Sequence, residues 1–119
     1  MFSVGIDLVE ISRIENSLKN DSFLKKFFGK NEIEELKQKN FKSESVAAAF
    51  CAKEAFSKAV KTGFSGFKMN EVELLHEKSG APYLLLSGKA KALGENMQFS
   101  VSITHTKELA QAIVIGQKI

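Results

Sequence analysis

Apolar and polar residues alternate at the start of the chain, where Phe2, Val4, Ile6 and Leu8 are separated by Ser3, Gly5 and Asp7. A period of two predicts a half-buried strand with Asp7 on the face opposite the apolar row. The period then lengthens: Ile11, Ile14 and Leu18 recur at helical spacing around Arg13 and Glu15, so a helix carrying Arg13 begins soon after Asp7. Asn31 followed by Glu34 resembles a capping box opening a short helix, with Ile33 and Leu36 as its apolar side and Lys37 and Lys39 suiting its C-terminal end. From Ser43, a good N-cap residue, the chain is rich in alanine and free of glycine and proline until Gly63, which predicts the longest helix. Its first half, Val46 to Ala52, has no charged or strongly polar side chain and should be enclosed by protein on all sides. Lys53, Glu54, Ser57 and Lys58 then come together, with Glu54 and Lys58 on one face near Lys61 and with Ala52, Phe56 and Ala59 on the other.

Strand patterns dominate the second half. Val72 and Leu74 alternate with Glu71 and Glu73, and Tyr83 to Leu86 form an apolar run after the turn signal Ser79-Gly80-Ala81-Pro82. Lys89 to Leu93 read as a short helix stopped by Gly94. Phe99, Val101 and Ile103 alternate with Ser100, Ser102 and Thr104, the last strand runs from Ala110 to Ile115, and His105 falls in the turn between the two. Helices early and strands late predict an α+β fold in one domain, residues 1–119, with a largely antiparallel sheet against a long central helix.

Composition narrows the class. Hydrophobic residues at 44% and charged residues at 26% exclude a disordered or fibrous chain. Every apolar stretch is broken by charge well short of the roughly 20 residues of a membrane span. The N-terminus lacks the basic start of a secretory signal, so the expected location is the cytoplasm. Cys51, the one cysteine, lies in an apolar run and reads as a buried reduced thiol. The net charge of +3 is unevenly spread. Asp7, Glu10 and Glu15 outweigh Arg13 in the first segment, whereas a lysine-rich segment with Lys19, Lys25 and Lys26 follows. This suggests a cation near the acids and an acidic partner near the lysines, although solvated surface lysines account for the pattern equally well.

The chain has no P-loop, GxGxxG, CxxC, HExxH or GxSxG motif. An apolar setting withholds the thiolate that Cys51 would need as a nucleophile. Asp7, Glu54, Lys58 and His105 remain. Asp7 reads either as an exposed acid or cap or as a metal ligand; Glu54 and Lys58 form an (i, i+4) pair worth ~0.3–0.5 kcal/mol if exposed. The apolar run before Glu54 implies nearby burial, where a carboxylate needs a counter-charge. Two carboxylates without supporting thiols favour a hard cation, magnesium rather than zinc, and magnesium commonly completes its shell with substrate phosphate. His105 alone is a turn residue or a proton carrier, and His76, inside a strand pattern, is assigned no role.

Three segments identify a family. Gly5-Ile6-Asp7-Leu8-Val9-Glu10-Ile11, followed by Arg13-Ile14, resembles the opening signature of holo-(acyl carrier protein) synthases. Ala52-Lys53-Glu54-Ala55-Phe56-Ser57-Lys58-Ala59 resembles the second signature, and Val101-Ser102-Ile103-Thr104-His105 with Ala110 and Ala112 is similar to the histidine-bearing hairpin. Order, spacing and length agree across essentially the whole chain. The resemblance implies a 4′-phosphopantetheinyl transferase fold and transfer of 4′-phosphopantetheine from coenzyme A to a serine of apo acyl carrier protein, releasing adenosine 3′,5′-bisphosphate. It further implies Mg²⁺ held by Asp7 and Glu54, Lys58 near the transferred phosphate, His105 beside the coenzyme and Arg13 facing the carrier protein. Glu54 or a metal-bound water is the preferred base, ahead of Asp7 and His105. Lys19, Lys25 and Lys26 would extend the carrier-docking surface; Lys53, Gly80 and Pro82 would join Lys58 and His105 on coenzyme A. The family's homotrimer, with sites between protomers, and a place in fatty acid and lipid metabolism complete what the resemblance implies.

Two positions depart from the family pattern: Ala49 and Ala81 stand where a basic residue is common. Lys42, Lys53, Lys89 and Lys91 are the candidates to contact the coenzyme 3′-phosphate instead. Thr104, where serine is usual, keeps the hydroxyl. The alternative readings are a non-catalytic basic module binding nucleic acid or an acidic protein, to which the pI near 9.0 lends support, and a Mg²⁺-dependent hydrolase of nucleotides. The basic module predicts binding that weakens steeply with salt and ignores Asp7 and Glu54.

Overall fold

The computed structural model describes residues 1–61 and 66–119. Among the described residues, five strands and five α-helices follow one another: β1 (Phe2–Glu10), α1 (Ile11–Ser17), α2 (Ser22–Phe27), α3 (Lys30–Gln38), α4 (Ser43–Ala59), β2 (Val72–His76), β3 (Pro82–Leu86), α5 (Gly88–Leu93), β4 (Met97–His105) and β5 (Leu109–Lys118). The fold is α+β, but the strands divide into two antiparallel sheets. One has the order β1-β5-β4; β2 and β3 form the other, a hairpin. Asp7 and Ile103 both lie opposite Ala112, and His105 lies opposite Ala110. No helix among the described residues is long and apolar enough to cross a membrane.

Helix α4 packs across the inner face of the three-stranded sheet, and small residues on both sides allow the approach. Ala52, Ala55 and Ala59 face a sheet whose inner positions include Gly5, Ala110, Ala112 and Val114, all buried. At Gly5 a Cβ would stand 1.9 Å from the Ala55 carbonyl oxygen, so only glycine fits. The expected enclosure of Val46 to Ala52 holds except at half-buried Phe50. The helix ends at Ala59; Gly63, where the sequence pattern would end it, lies outside the described residues.

Strand β1 is oriented differently from what its alternation suggests. Asp7 does lie opposite the apolar row, yet that row is the outward one: Phe2, Val4, Ile6 and Leu8 are 68, 59, 51 and 56% exposed. Close packing on α4 selects the face bearing Gly5, Asp7 and Val9 for the inside, and the larger residues are left pointing out.

The sequence pattern missed α2, which is pinned by aromatic contacts. Phe23 is buried with its ring centroid 5.4 to 6.1 Å from those of Phe27, Phe28 and Phe50, and burying a phenylalanine is worth ~1.5–3 kcal/mol. Helix α3 begins two residues earlier than the Asn31–Glu34 reading implied. Gly29 is its N-cap and donates its N–H to Glu32 Oε1 at 3.2 Å, while Glu73 accepts the Asn31 backbone N–H at 2.9 Å and its side-chain amide at 3.0 Å. A carboxylate from β2, distant in sequence, performs the capping that Glu34 was expected to perform.

Between α3, α4 and β2 lies a buried ion pair. Lys53 Nζ donates to Glu32 Oε1 and to the Val72 carbonyl, with the Phe28 ring centroid 5.0 Å away. Glu32 Oε2 accepts the Leu74 N–H at 2.9 Å. Both side chains have no exposed surface. Lys53 was expected on coenzyme A; its ammonium is instead enclosed by protein and consumed by internal acceptors, because the α4 face next to Glu54 packs on β2 rather than on solvent.

Candidate active site

Asp7 and α4 meet where β1 crosses the helix. The residue spacing that turns Gly5 toward Ala55 also turns Asp7 toward α4, two residues further along the strand. Lys58, one helical turn after Glu54, donates from Nζ to the Ile6 carbonyl at 2.9 Å and to Asp7 Oδ1 at 3.3 Å. The Lys58 side chain is 53% exposed and that of Asp7 16%, so the ammonium stays open to solvent while the acid is largely covered. Ser57 is buried and turns its hydroxyl back to the Glu54 carbonyl at 2.6 Å, satisfying itself within the helix.

Glu54 is half-buried. Burial first, and then the Asp7 carboxylate, push its pKa above the usual carboxylate range against the pull of Lys58 and Arg13. Two carboxylates therefore share a partly desolvated site with less positive charge than they could use. Among the described residues no cluster of three or more His, Cys, Asp or Glu forms a ready metal cage. A pair of oxygen donors open to solvent suits a hard cation that keeps part of its water shell. Cys51 lies beneath them, fully buried, with its thiol donating to the Ala110 carbonyl at 3.3 Å. Burial, with Asp7 and Glu54 adding to it, pushes that thiol up to about 12, in keeping with an inert buried cysteine.

A second group of residues expected at the site gathers elsewhere. Gly80, Pro82 and His105 border one cavity of about 250 Å³, which also touches Ala49 and reaches α3. Gly80, at φ 94°, turns the hairpin between β2 and β3 so that Pro82 enters β3 opposite His76. His105 is the last residue of β4 rather than part of the turn, and its Nδ1 lies 3.1 Å from the Thr106 carbonyl. None of Asp7, Glu54 and Lys58 borders this cavity. One chain thus carries two separate groups of candidate residues.

Arg13 lies exposed on α1, close enough for its charge to act on Glu54. Lys19, Lys25 and Lys26 are exposed on and just before α2. Lys42, Lys89 and Lys91 are exposed but do not border the cavity, whereas Lys39 does. Sequence reasoning also passed over His76. Its Nδ1 lies 2.9 Å from Glu35 Oε2 and its backbone N–H donates to Glu35 Oε1 at 2.9 Å, on the wall of the same cavity. The partners are 41 residues apart, so no local pattern could have joined them.

A family model described as the 4′-phosphopantetheinyl transferase superfamily matches residues 3–114. The chain is 41% identical to a holo-[acyl-carrier-protein] synthase of Clostridium kluyveri, covering 97% of this chain and 89% of that one. It is also 41% identical to that of Clostridium beijerinckii, covering 100% and 99%. The crystal structure of Helicobacter pylori holo-[acyl-carrier-protein] synthase in complex with coenzyme A superposes with a TM-score of 0.84 at 34% identity, over 96% of this chain and 99% of the other. The Bacillus anthracis synthase in complex with CoA (3′,5′-ADP) gives 0.83 at 34% identity, over 98% and 96%. With signatures, fold and full-length likeness in agreement, the chain belongs to the 4′-phosphopantetheinyl transferase superfamily, among its holo-(acyl carrier protein) synthases.

Proposed function

We propose that this chain moves 4′-phosphopantetheine from coenzyme A to a serine hydroxyl of apo acyl carrier protein and releases adenosine 3′,5′-bisphosphate. The observation that carries the reading is the meeting of Asp7, Glu54 and Lys58 where β1 crosses α4, in a chain of this family. The serine oxygen forms a bond to the β-phosphorus of the pyrophosphate while the bond from that phosphorus to the bridging oxygen breaks. The electron pair leaves with the nucleotide, and the serine proton goes to a base.

Glu54 suits the role of base, because burial and Asp7 raise its proton affinity above that of an ordinary carboxylate. Lys58 is half exposed, so its ammonium can exchange the Ile6 carbonyl for phosphate oxygens and stabilise their growing charge. Asp7 and Glu54 fit magnesium: two oxygen ligands, under-neutralised and partly open to water. When bound, the ion supplies counter-charge to the pyrophosphate. His105, with Gly80 and Pro82, lines the cavity suited to the rest of the coenzyme. No side chain needs to become covalently bound to the transferred group.

Arg13, Lys19, Lys25 and Lys26 form the exposed basic surface that would steer an acidic carrier protein. A homotrimer is supported by two features. The outward row Phe2, Val4, Ile6 and Leu8 is an apolar strip of the kind that a second copy covers. The two half-sites, separate within one chain, would be completed by a neighbour. The cytoplasm, where coenzyme A and the carriers of fatty acid synthesis meet, is the corresponding location.

The test is the intact mass of apo acyl carrier protein after incubation with this protein, coenzyme A and Mg²⁺. A gain of one phosphopantetheine, abolished by a chelator, is the expected result. A folded protein that leaves two unrelated carrier proteins unmodified would overturn the reading.

A further inference from the structure

We infer that His76, held in place by Glu35, is a specificity-determining residue of the donor site and receives the phosphomonoester that the donor nucleotide carries on its ribose. The inference rests on the transferase reading above and adds a residue to it. Both Glu35 oxygens are engaged by one residue: Oε2 with the His76 ring at Nδ1 and Oε1 with the His76 backbone N–H, each at 2.9 Å. The carboxylate can only accept, so the ring presents its Nδ1–H to Glu35 and its Nε2 away from it. Among the described residues Nε2 has no hydrogen-bond partner, and His76 borders the cavity of about 250 Å³, several times the roughly 30 Å³ share of a water molecule.

A carboxylate that clamps an imidazole from two sides fixes the direction of the ring's other nitrogen, as outer carboxylates do for histidines that bind metals. A ring carrying a second proton donates it from Nε2 into the cavity. Lys39 and His105 are the other basic groups on the wall, against Glu44 as the one further acid. With Glu35 spent on His76, this wall suits an anion more than a cation. Coenzyme A has two anionic regions, a pyrophosphate and a separate phosphomonoester. Lys58 and the Asp7–Glu54 pair account for the first, outside this cavity. The second, with its −1.5 to −2 charge at neutral pH, matches His76. Ala49 on the same wall offers no cation of its own, which leaves the contact to His76, His105 and Lys39.

Calorimetric titration with adenosine 3′,5′-bisphosphate and adenosine 5′-monophosphate, which differ by the 3′-phosphate alone, tests the assignment. The wild-type protein should bind the bisphosphate more tightly. His76→Ala should lose about tenfold in affinity for the bisphosphate and little for the monophosphate, the size of one hydrogen bond to a charged group. His76→Arg should restore the preference. Equal losses for both nucleotides, or no loss for either, would overturn the assignment. Should His76→Ala fail to fold, Glu35→Gln decides: a smaller loss confined to the bisphosphate supports the clamp, and an unchanged preference refutes it. The carrier-mass assay separates the two readings. A wild-type protein that modifies the carrier yet binds both nucleotides equally removes His76 and spares the transferase. One that modifies no carrier but discriminates through His76 does the reverse, and one that binds neither nucleotide removes both.

Discussion

Glu54 pays for its position in stability, and that cost is measurable. Burial and Asp7 raise its pKa in the folded protein above its value in the unfolded chain. Between the two pKa values the folded state keeps a proton that the unfolded state has already released, so without metal, stability falls as pH rises from the ordinary carboxylate pKa to the raised folded one and is level above it. Glu54→Gln removes the penalty. At neutral pH in chelator it should melt above the wild type, with the gap closing toward pH 4. Mg²⁺ should raise the wild-type melting temperature and leave the variant nearly unmoved, since a ligand stabilises only what binds it. The same variant should lose transferase activity. Equal Mg²⁺ shifts in both proteins would remove Glu54 from the metal site. Lys53, its neighbour in sequence, has a contrasting role. Lys53→Met leaves the Glu32 carboxylate buried without its cation and should cost ~3–5 kcal/mol, read by urea unfolding. Adding Glu32→Gln should recover part of that loss, and the refolded double variant should keep its affinity for coenzyme A. A selective rise in the coenzyme KM would instead return Lys53 to the donor site.

Elements of this fold were legible where local pattern decides them. The β1 alternation, the apolar start of α4 and the hairpin signal at Gly80 were all present in the residues. Contacts between distant segments were not. The cap of α3 comes from Glu73, α2 is held by a cluster of phenylalanine rings, and His76 is aimed by Glu35; each depends on residues remote in sequence or on packing that no period encodes. The facing of β1 was hidden for a related reason: apolar alternation identifies two faces without saying which one meets the helix. Gly5 settles that choice, because its missing side chain is what lets β1 reach α4. Gly5→Ala would place a methyl group against the Ala55 carbonyl and force the two elements apart. The expected cost is about 1–3 kcal/mol, together with a loss of turnover larger than that destabilisation explains, since Asp7 and Glu54 are carried by the separated elements. Circular dichroism melts and kcat on the folded fraction measure the two effects separately; unchanged kcat would mean that the site tolerates the displacement.

At the scale of the whole molecule, the two separate residue groups and the outward apolar strip both bear on the proposed assembly. Asp7, Glu54 and Lys58 lie at one place on the chain, His105, Gly80 and Pro82 line a cavity that none of them borders, and the β1 row Phe2, Val4, Ile6 and Leu8 is exposed on the face of the strand opposite Asp7. A cyclic assembly in which β1 of one copy is covered by the next would bury the strip and join unlike halves at each interface. Hybrid assemblies decide whether it does. Glu54→Gln protomers and His105→Ala protomers should each be nearly inactive alone. If every site takes its Glu54 from one copy and its His105 from the neighbour, refolding the two in equal amounts gives about a quarter of the sites both intact residues. Activity should then return to about a quarter of the wild-type value, rising with the time allowed for exchange. Sites contained within one protomer would give no recovery at any mixing ratio, because every chain would still carry one lesion. Replacing Ile6 by aspartate in both parents should block the recovery by keeping the copies apart, and sedimentation would show the corresponding fall in mass. Recovery that survives in material sedimenting as monomers would exclude the shared site.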